Sequence, residues 1–143
     1  MKLRTALLFL ALAATPATAE SVDGRRITII DGDTIALPAA SPGARQERVR
    51  LLDIDTPETW QSRCEDELAV GLIAKQRLRE LLARPVTVER HGQDRYRRTL
   101  ARLYVGGREV GAVLLSEELA VRWRPGRDAW EQRLAHWCPR GAR

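Results

Sequence analysis

The segment 48–59 combines carboxylates and arginines within a dozen residues, at the point where an apolar run ends. Its sequence is Arg48-Val49-Arg50-Leu51-Leu52-Asp53-Ile54-Asp55-Thr56-Pro57-Glu58-Thr59. A concentration of carboxylates attracts a cation, and guanidinium groups bind anionic oxygens through fixed pairs of donors. One segment that supplies both is suited to metal-assisted chemistry on a phosphate. Local ion pairs at the end of a charged strand explain the segment equally well, so taken alone it leaves the two interpretations even.

Short apolar strands surround this segment. They are predicted at residues 25–30, 34–37, 46–54, 86–90 and 100–105, where the sequence is β-branched or alternates apolar and polar residues. Asp31-Gly32 and Gly106-Gly107 separate apolar runs and are typical of tight hairpin turns. The segment 48–59 is therefore expected to lie on the third strand of a meander.

Helical periodicity predicts three helices, near residues 66–82, 110–118 and 128–137. The buried face of the first helix is expected to consist of its leucines, Leu68, Leu72, Leu78, Leu81 and Leu82. The element order β-β-β-α-β-β-α-α predicts a mainly β protein with helices (α+β). Its architecture is expected to be a five-stranded OB-fold-type β-barrel with about three helices.

The N-terminal residues have the composition of a secretory signal peptide. Residues 1–5 are basic and lead into the apolar run 6–14, and the small residues Ala17-Thr18-Ala19 follow as a cleavage site. The apolar run is shorter than the roughly 20 residues that a membrane-spanning helix needs. We therefore expect residues 1–19 to be a signal peptide and residues 20–143 a single domain. The mature protein is expected to be secreted or periplasmic, without stable membrane association.

The charge balance bears on the kind of binding partner, and the two cysteines bear on the cross-links of an exported chain. The chain carries 24 Lys and Arg against 19 Asp and Glu, a formal net charge of +5, which falls to +3 when Lys2 and Arg4 leave with the signal peptide. This mild excess is compatible with an anionic polymer as partner but does not require one. Cys64 and Cys138 are expected to form a disulfide, because an exported chain meets an oxidising environment.

The segment at 50–59 is one of three motifs that follow each other along the chain. The three are Asp31-Gly32-Asp33-Thr34, Arg50-Leu51-Leu52-Asp53-Ile54-Asp55-Thr56-Pro57-Glu58-Thr59 and Asp94-Arg95-Tyr96-Arg97-Arg98-Thr99-Leu100-Ala101. In order and spacing they resemble the motifs of the staphylococcal nuclease-like (thermonuclease) family, over roughly residues 25–123. The resemblance implies an OB-type barrel that hydrolyses DNA and/or RNA with calcium and leaves 3′-phosphate ends.

The resemblance also implies a calcium site. Asp33 and Asp55 would supply carboxylate ligands, the backbone carbonyl of Thr56 would supply a third protein oxygen, and water would complete the shell. Asp31 lies two residues before Asp33. It is expected either to strengthen the negative field of the site or to cap its own turn, and the two roles carry equal weight.

The catalytic residues implied by the resemblance are Glu58, which would orient or deprotonate the attacking water, and Arg50 and Arg98, which would bind the phosphate. Arg97 stands where the family usually has a glycine, a residue that adopts positive φ at little cost. Which of Arg97 and Arg98 serves therefore stays open. Arg50 and Asp55 fall on opposite faces of an extended strand, so a shared site requires the chain to bend near Ile54.

Substrate contacts beyond the phosphate are less specified. Arg95 and Tyr96 are candidates because they lie beside Arg98, although a tyrosine at a barrel rim usually packs with its hydroxyl in water. The tryptophans are expected to pack in the core or to dock the tail rather than to stack on bases. They are Trp60, Trp123, Trp130 and Trp137.

A different function is an OB-fold module that binds single-stranded nucleic acid without cutting it, because the same fold often does so. A pure binder has no need for the whole set of Asp33, Asp55, Glu58, Arg50 and Arg98, so the set favours a nuclease. A third interpretation is an envelope protein whose carboxylates and disulfide are only structural. The protein is expected to be a monomer. Its sequence does not indicate whether DNA or RNA is the preferred substrate, or whether cleavage is internal or at the ends of the strand.

Overall fold

The computed structural model describes residues 19–142, so the predicted signal peptide lies outside the described residues except for Ala19. The strands are β1 (Glu20–Asp23), β2 (Thr28–Ile29), β3 (Thr34–Leu37), β4 (Glu47–Leu51), β5 (Ile54–Asp55), β6 (Pro85–Gln93), β7 (Thr99–Val105), β8 (Arg108–Glu109) and β9 (Val121–Arg122). The α-helices are α1 (Glu65–Leu81), α2 (Val110–Ser116) and α3 (Arg127–Trp137), and a 3₁₀ turn covers Gly24–Arg26. In this range no helix has the length and apolar character to span a membrane.

One sheet brings the three sequence motifs side by side. Its strand order is β1-β6-β7-β4-β3-β2, with β8 paired to β7, while β5 and β9 form a separate two-stranded ribbon. All pairs are antiparallel except β4 with β7. Arg50 on β4 lies opposite Thr34 of β3 on one side and opposite Leu100 of β7 on the other. The α+β fold of OB type with three helices is thereby confirmed, and all five predicted strands are present.

The hydrophobic core lies between this sheet and the helices α1 and α2. From the sheet it takes residues that are fully buried, such as Ile35, Val49, Val88, Ala101 and Leu103. The helices contribute Leu78 and Leu82 at the end of α1, and Val110 and Leu114 from α2. Because the core sits below the central strands, the ends of β3, β4 and β7 are left to form a site.

The buried face of α1 differs from the predicted one. Leu68 and Leu72 are 36% and 53% exposed, so the prediction was wrong at these two positions. The face that packs inward consists of Glu67, Gly71, Ala74 and Leu78. Small residues are needed there because the backbone of the segment after β5 packs on the helix: a Cβ at Gly71 would lie 2.8 Å from the carbonyl oxygen of Pro57.

Two further differences from the predicted strands are local and lie between Glu20 and Arg26. Arg25 and Arg26 lie in the 3₁₀ turn instead of a strand, and β1 adds an edge strand that was not predicted.

The disulfide between Cys64 and Cys138 is present, with the two Cα atoms 5.9 Å apart. It joins the residue that caps the start of α1 to the residue that follows α3, so the C-terminal helix is fastened to the middle of the chain.

Candidate active site

The chain bends sharply between β4 and β5, where the sequence required a bend. Asp53 has a φ of 62°, in the left-handed region, and the strand predicted at 46–54 is interrupted before Ile54. After the bend β5 leaves the main sheet and pairs with β9, and the backbone carbonyl of Asp53 accepts a hydrogen bond from Trp123 N–H at 2.9 Å. The bend brings the side chains of Arg50 and Asp55 to one side, with Arg50 Nη2 3.0 Å from Asp55 Oδ1.

Asp33 connects the first hairpin to this bend. It lies directly before β3 and is only 6% exposed. Its Oδ2 accepts a hydrogen bond from the backbone N–H of Thr56 at 2.8 Å and lies 3.2 Å from Arg50 Nη2, while its Oδ1 accepts from the Thr34 hydroxyl at 3.0 Å. Two carboxylates, Asp33 directly before β3 and Asp55 on β5, therefore converge on the same nitrogen atom of Arg50.

Negative charge accumulates around these two carboxylates. Burial, and next the charge of Asp33, raise the pKa of Asp55 to about 6, although Arg50 and Arg133 oppose the rise. The pKa of Glu58 is raised to about 7, first by burial and then by the charges of Asp31, Asp33 and Asp55. A cation bound nearby would lower the pKa of both the Asp55 and the Glu58 carboxyl groups. The site therefore attracts positive charge.

Asp31 takes part in both of the roles considered for it. Its Oδ1 accepts hydrogen bonds from Gly32 N–H at 2.8 Å, as in a capped turn, and from the Thr59 hydroxyl at 3.1 Å. It also lines the same cleft as Glu58, and burial raises its pKa. Asp31 thus ties the first motif to the loop after Pro57 while adding to the negative field.

The third motif forms the turn between β6 and β7 and presents Arg98 to the site. Asp94 holds the turn: its Oδ1 accepts from Arg98 N–H at 2.9 Å, and its Oδ2 accepts from Arg98 Nε at 2.8 Å. Arg97 has a φ of 64° and is exposed, so an arginine occupies the left-handed conformation that a glycine would adopt more easily. Of the two arginines, Arg98 lines the cleft with Arg50 and Arg97 does not.

The two secondary candidates of this motif lie together at the rim. Tyr96 is 64% exposed, and its hydroxyl accepts a hydrogen bond from Arg95 Nη2 at 2.6 Å. The guanidinium carbons of Arg95 and Arg98 lie 4.7 Å and 5.5 Å from the centroid of the Tyr96 ring. The ring therefore supports both cations at the mouth of the cleft.

Most of the predicted site residues border one cleft of about 740 Å³. The predicted site residues in its lining are Asp31, Asp33, Arg50, Asp55, Glu58, Arg95, Tyr96 and Arg98. Thr56 lies just behind it: it is 4% exposed, and its hydroxyl has no hydrogen-bond partner in the described part of the chain. Arg97 alone among the predicted site residues stands apart.

The opposite wall of the cleft comes from residues that sequence reasoning did not assign to the site. They are Trp123 and Arg124 from the segment between β9 and α3, and Trp130 and Arg133 from α3. Arg133 Nε lies 3.1 Å from Asp55 Oδ2, and the guanidinium carbon of Arg63 lies 5.7 Å from the centroid of the Trp130 ring. Trp123 and Trp130 are 48% and 46% exposed, so the core role expected for them was wrong, whereas the contact of Trp130 with Arg63 agrees with a docking role for its helix.

Glu67 is a second group that sequence reasoning missed. Its side chain is completely buried, and it accepts hydrogen bonds from Arg63 N–H at 2.6 Å, Arg63 Nε at 3.1 Å and Glu58 N–H at 3.4 Å. It thus holds both ends of the loop that carries Glu58. A signal was available: Glu67 shares a helical face with Gly71 and Ala74, and a carboxylate on the face where a helix packs closely needs a buried partner.

The donor atoms suit a hard divalent cation. Asp33 and Asp55 offer carboxylate oxygens that point to one centre, which Arg50 Nη2 contacts, and the buried hydroxyl of Thr56 still lacks a partner. Among residues 19–142 no three side chains of His, Cys, Asp or Glu are arranged to hold a metal ion. An ion at this point would therefore need backbone oxygen and water as further ligands.

Comparison with known proteins identifies the family. The sequence model of the staphylococcal nuclease homologues matches residues 48–137. An uncharacterized endonuclease of Haemophilus influenzae is 32% identical over 123 residues, which are 85% of this chain and 64% of that protein. Protein ParB of Escherichia coli is 35% identical over 129 residues (83% and 67%), and a micrococcal nuclease of Shigella flexneri is 35% identical over 123 residues (79% and 64%).

The chain spans about two thirds of the length of these three relatives. The family match extends from β4 to the end of α3 and so contains most of the cleft described above. Since it covers more than half of the chain, the protein belongs to the family of staphylococcal nuclease homologues.

Proposed function

We propose that the protein is a calcium-dependent nuclease that hydrolyses phosphodiester bonds of DNA and/or RNA and leaves 3′-phosphate ends. One observation carries the proposal: carboxylates and arginines from three separate motifs border a single cleft. They are Asp33 and Asp55 beside the bend, Glu58 after it, Arg50 on β4 and Arg98 directly before β7. The nuclease names of the relatives in Haemophilus influenzae and Shigella flexneri support the same reaction.

In this proposal the arginines bind the phosphate. Attack on a phosphodiester builds negative charge on the non-bridging oxygens of the phosphate, and guanidinium groups that meet those oxygens stabilise the transition state more than the ground state. Arg98 is fixed through its Nε by Asp94, at 2.8 Å, and its guanidinium lies over the Tyr96 ring. Arg50 is fixed through Nη1, which donates to the carbonyl of Leu51 at 2.8 Å. Both cations are therefore held in place before substrate arrives.

Glu58 is the base in the proposed reaction. It takes a proton from water as the water oxygen bonds to phosphorus, the bond from phosphorus to the 5′ oxygen breaks, and that oxygen takes up a proton to leave as a 5′-hydroxyl. General-base action of this kind contributes about 10²–10⁴-fold. Asp33 and Asp55 would hold calcium, with the backbone oxygen of Thr56 as a further ligand. When bound, calcium supplies positive charge that stabilises the phosphate oxygens and lowers the pKa of the nearby carboxyls.

The surroundings of the cleft support a polymeric substrate. Arg95, Tyr96 and Trp123 border it beyond the phosphate-binding arginines, and exposed aromatic and cationic side chains bind bases and phosphates. We also propose that the mature protein comprises residues 20–143, acts outside the cytoplasm and is a monomer. Thiols of exported proteins meet an oxidising environment, and the disulfide between Cys64 and Cys138 agrees with that location.

A nuclease assay on purified residues 20–143 tests the proposal. Circular plasmid and single-stranded RNA are incubated with calcium or with an excess of chelator, and the ends of the products are analysed. We expect cleavage that requires calcium and yields 3′-phosphates. Glu58→Gln is expected to lower kcat by about 10²–10⁴-fold. Arg50→Ala is expected to lower kcat by about 10²-fold or more, because a phosphate-stabilising group is lost.

Arg127→Ala is the matched control, because Arg127 is 88% exposed and, among residues 19–142, its ion pair is the local one with Glu131 at 2.9 Å. It should cut at the wild-type rate. Circular dichroism of every variant shows whether it is folded. Folded Glu58→Gln and Arg50→Ala proteins with wild-type activity would contradict the mechanism. Tight binding of single-stranded nucleic acid without cleavage in calcium would instead establish the binding module.

A further inference from the structure

Arg133 reaches the centre of the proposed active site from the C-terminal helix. Its Nε lies 3.1 Å from Asp55 Oδ2, and only 15% of its side chain is exposed. The other oxygen of the same carboxylate, Asp55 Oδ1, lies 3.0 Å from Arg50 Nη2. Each oxygen of Asp55 therefore contacts a different guanidinium group, one from β4 and one from α3.

The position of Arg133 is itself fixed. Its Nη1 donates a hydrogen bond to the backbone carbonyl of Arg124 at 3.0 Å, which ties α3 to the segment that leads into it. Cys138 directly follows the helix and is joined to Cys64 at the start of α1. Because both ends of α3 are fastened, Arg133 meets Asp55 as a fixed group and not as a mobile surface side chain.

We propose that Arg133 is a positioning residue of the active site and fixes the orientation of the Asp55 carboxylate. The inference rests on the proposed function, in which Asp55 is a calcium ligand. A carboxylate held through one oxygen can still rotate about its own bonds, whereas a charge-assisted hydrogen bond from Arg50 to one oxygen and an ion pair with Arg133 at the other restrict its plane. Groups that orient a metal ligand contribute substantially to metal affinity and rate. In this proposal α3 contributes a positioning residue to the active site.

Two variants of Arg133 can separate the orientation of the Asp55 carboxylate by an N–H group from the effect of the positive charge of Arg133. Arg133 meets Asp55 through Nε, which is bonded to Cδ. In Arg133→Gln the amide nitrogen is also bonded to Cδ, so a hydrogen-bond donor is kept at the same distance along the side chain while the charge is lost. Arg133→Met has similar length and neither donor nor charge. Arg127→Met is the control on the same helix, because Arg127 is 88% exposed and contacts Glu131.

If Arg133 positions Asp55, Arg133→Gln should keep kcat and calcium affinity within about threefold of wild type, whereas Arg133→Met should weaken calcium binding by about tenfold or more. Calcium affinity is measured by calorimetry without substrate, and kcat by the plasmid assay with saturating calcium. Arg127→Met should match wild type in both measurements. Equal effects of Arg133→Gln and Arg133→Met would mean that only the charge matters, and they would overturn the proposal.

A metal-free measurement keeps the inference separate from the nuclease proposal. Urea unfolding in chelator is compared for wild type, Arg133→Met, Asp55→Ala and the double variant. If the two side chains interact as the structure has them, the shift in urea midpoint of the double variant differs from the sum of the single shifts. Additive shifts would overturn the inference. An inactive wild-type enzyme would refute the proposed function, while this cycle would still decide whether Arg133 holds Asp55.

Discussion

Replacing Glu67 with Gln removes a negative charge from the fully buried face of α1 and changes little in volume. In the wild-type protein the carboxylate accepts two hydrogen bonds from Arg63, through the backbone N–H at 2.6 Å and Nε at 3.1 Å, and one from Glu58 N–H at 3.4 Å. These two hydrogen bonds from Arg63 go to Oε2, while Oε1, which accepts from Glu58 N–H, also accepts a hydrogen bond from Arg63 Nη2. The amide of Gln offers one acceptor atom, and its NH₂ group faces hydrogen-bond donors, so part of this set must be lost.

The size of the effect follows from these contacts. Hydrogen bonds to a charged group contribute about 1.5–3 kcal/mol each, and breaking a buried ion pair costs about 3–5 kcal/mol. The side chain of Arg63 is 24% exposed and can turn toward water, which lowers the cost of leaving it unpaired. We therefore expect Glu67→Gln to lower the free energy of unfolding by about 3 kcal/mol near neutral pH.

The same contacts predict how this loss depends on pH. Burial raises the pKa of Glu67, but the hydrogen bonds from Arg63 outweigh it, and the pKa lies below its usual value. A carboxyl with a lowered pKa in the folded state stabilises the protein above its unfolded pKa, which is about 4.3, and that contribution is lost as pH falls through the folded value. The difference between wild type and Glu67→Gln is therefore largest near neutral pH and shrinks below about pH 4.

Urea unfolding followed by tryptophan fluorescence, repeated from neutral to acidic pH, measures both quantities. Glu80→Gln on the same helix is the control, because Glu80 is 52% exposed and should change the free energy of unfolding by less than about 1 kcal/mol. Since Glu67 also holds the backbone of Glu58, kcat of the folded variant should fall while that of the control does not. A difference between wild type and Glu67→Gln that is small, or that stays constant down to acidic pH, would refute the reasoning.

Two further predictions concern the backbone and the cross-link. Arg97→Gly removes a side chain from a residue with φ of 64° and should raise the free energy of unfolding by about 0.5–1 kcal/mol, measured by urea unfolding; a decrease would contradict it. Replacing Cys64 and Cys138 together by Ser opens a loop of sequence separation 74 and should lower it by about 4 kcal/mol. An unchanged melting temperature in that variant would show that packing alone fastens α3.

The sequence allowed the sheet and most of the cleft to be predicted, because those features depend on local pattern. Strands and the Asp31-Gly32 hairpin follow from apolar alternation and turn residues within a few positions. The need for a bend between Arg50 and Asp55 followed from the two-residue period of a strand. The structure meets it at Asp53, and the two side chains come within 3.0 Å.

The contributions of Arg133 and Glu67 could not be predicted in the same way. Arg133 meets Asp55 across a sequence separation of 78 residues, and only the docking of α3, which depends on the disulfide and on packing, decides which side of the helix faces the cleft. Leucine spacing alone predicts the wrong buried face for α1. Periodicity cannot reveal that the backbone around Pro57 needs the room provided by Gly71, so it places Leu68 inside although Leu68 is 36% exposed.

Two of the four non-glycine residues with positive φ in the described part of the chain show how local backbone geometry serves the site. Asp53 and Arg97 both have positive φ, a conformation that costs a residue with a Cβ roughly 1 kcal/mol or more. Asp53 lies two residues before Asp55, and Arg97 lies directly before Arg98. Each is also held by nearby contacts: Trp123 N–H bonds the carbonyl of Asp53, and Arg97 N–H bonds the carbonyl of Asp94 at 3.0 Å. The strain is therefore balanced locally, and it turns the chain at the two points where a strand must deliver a charged side chain to the cleft.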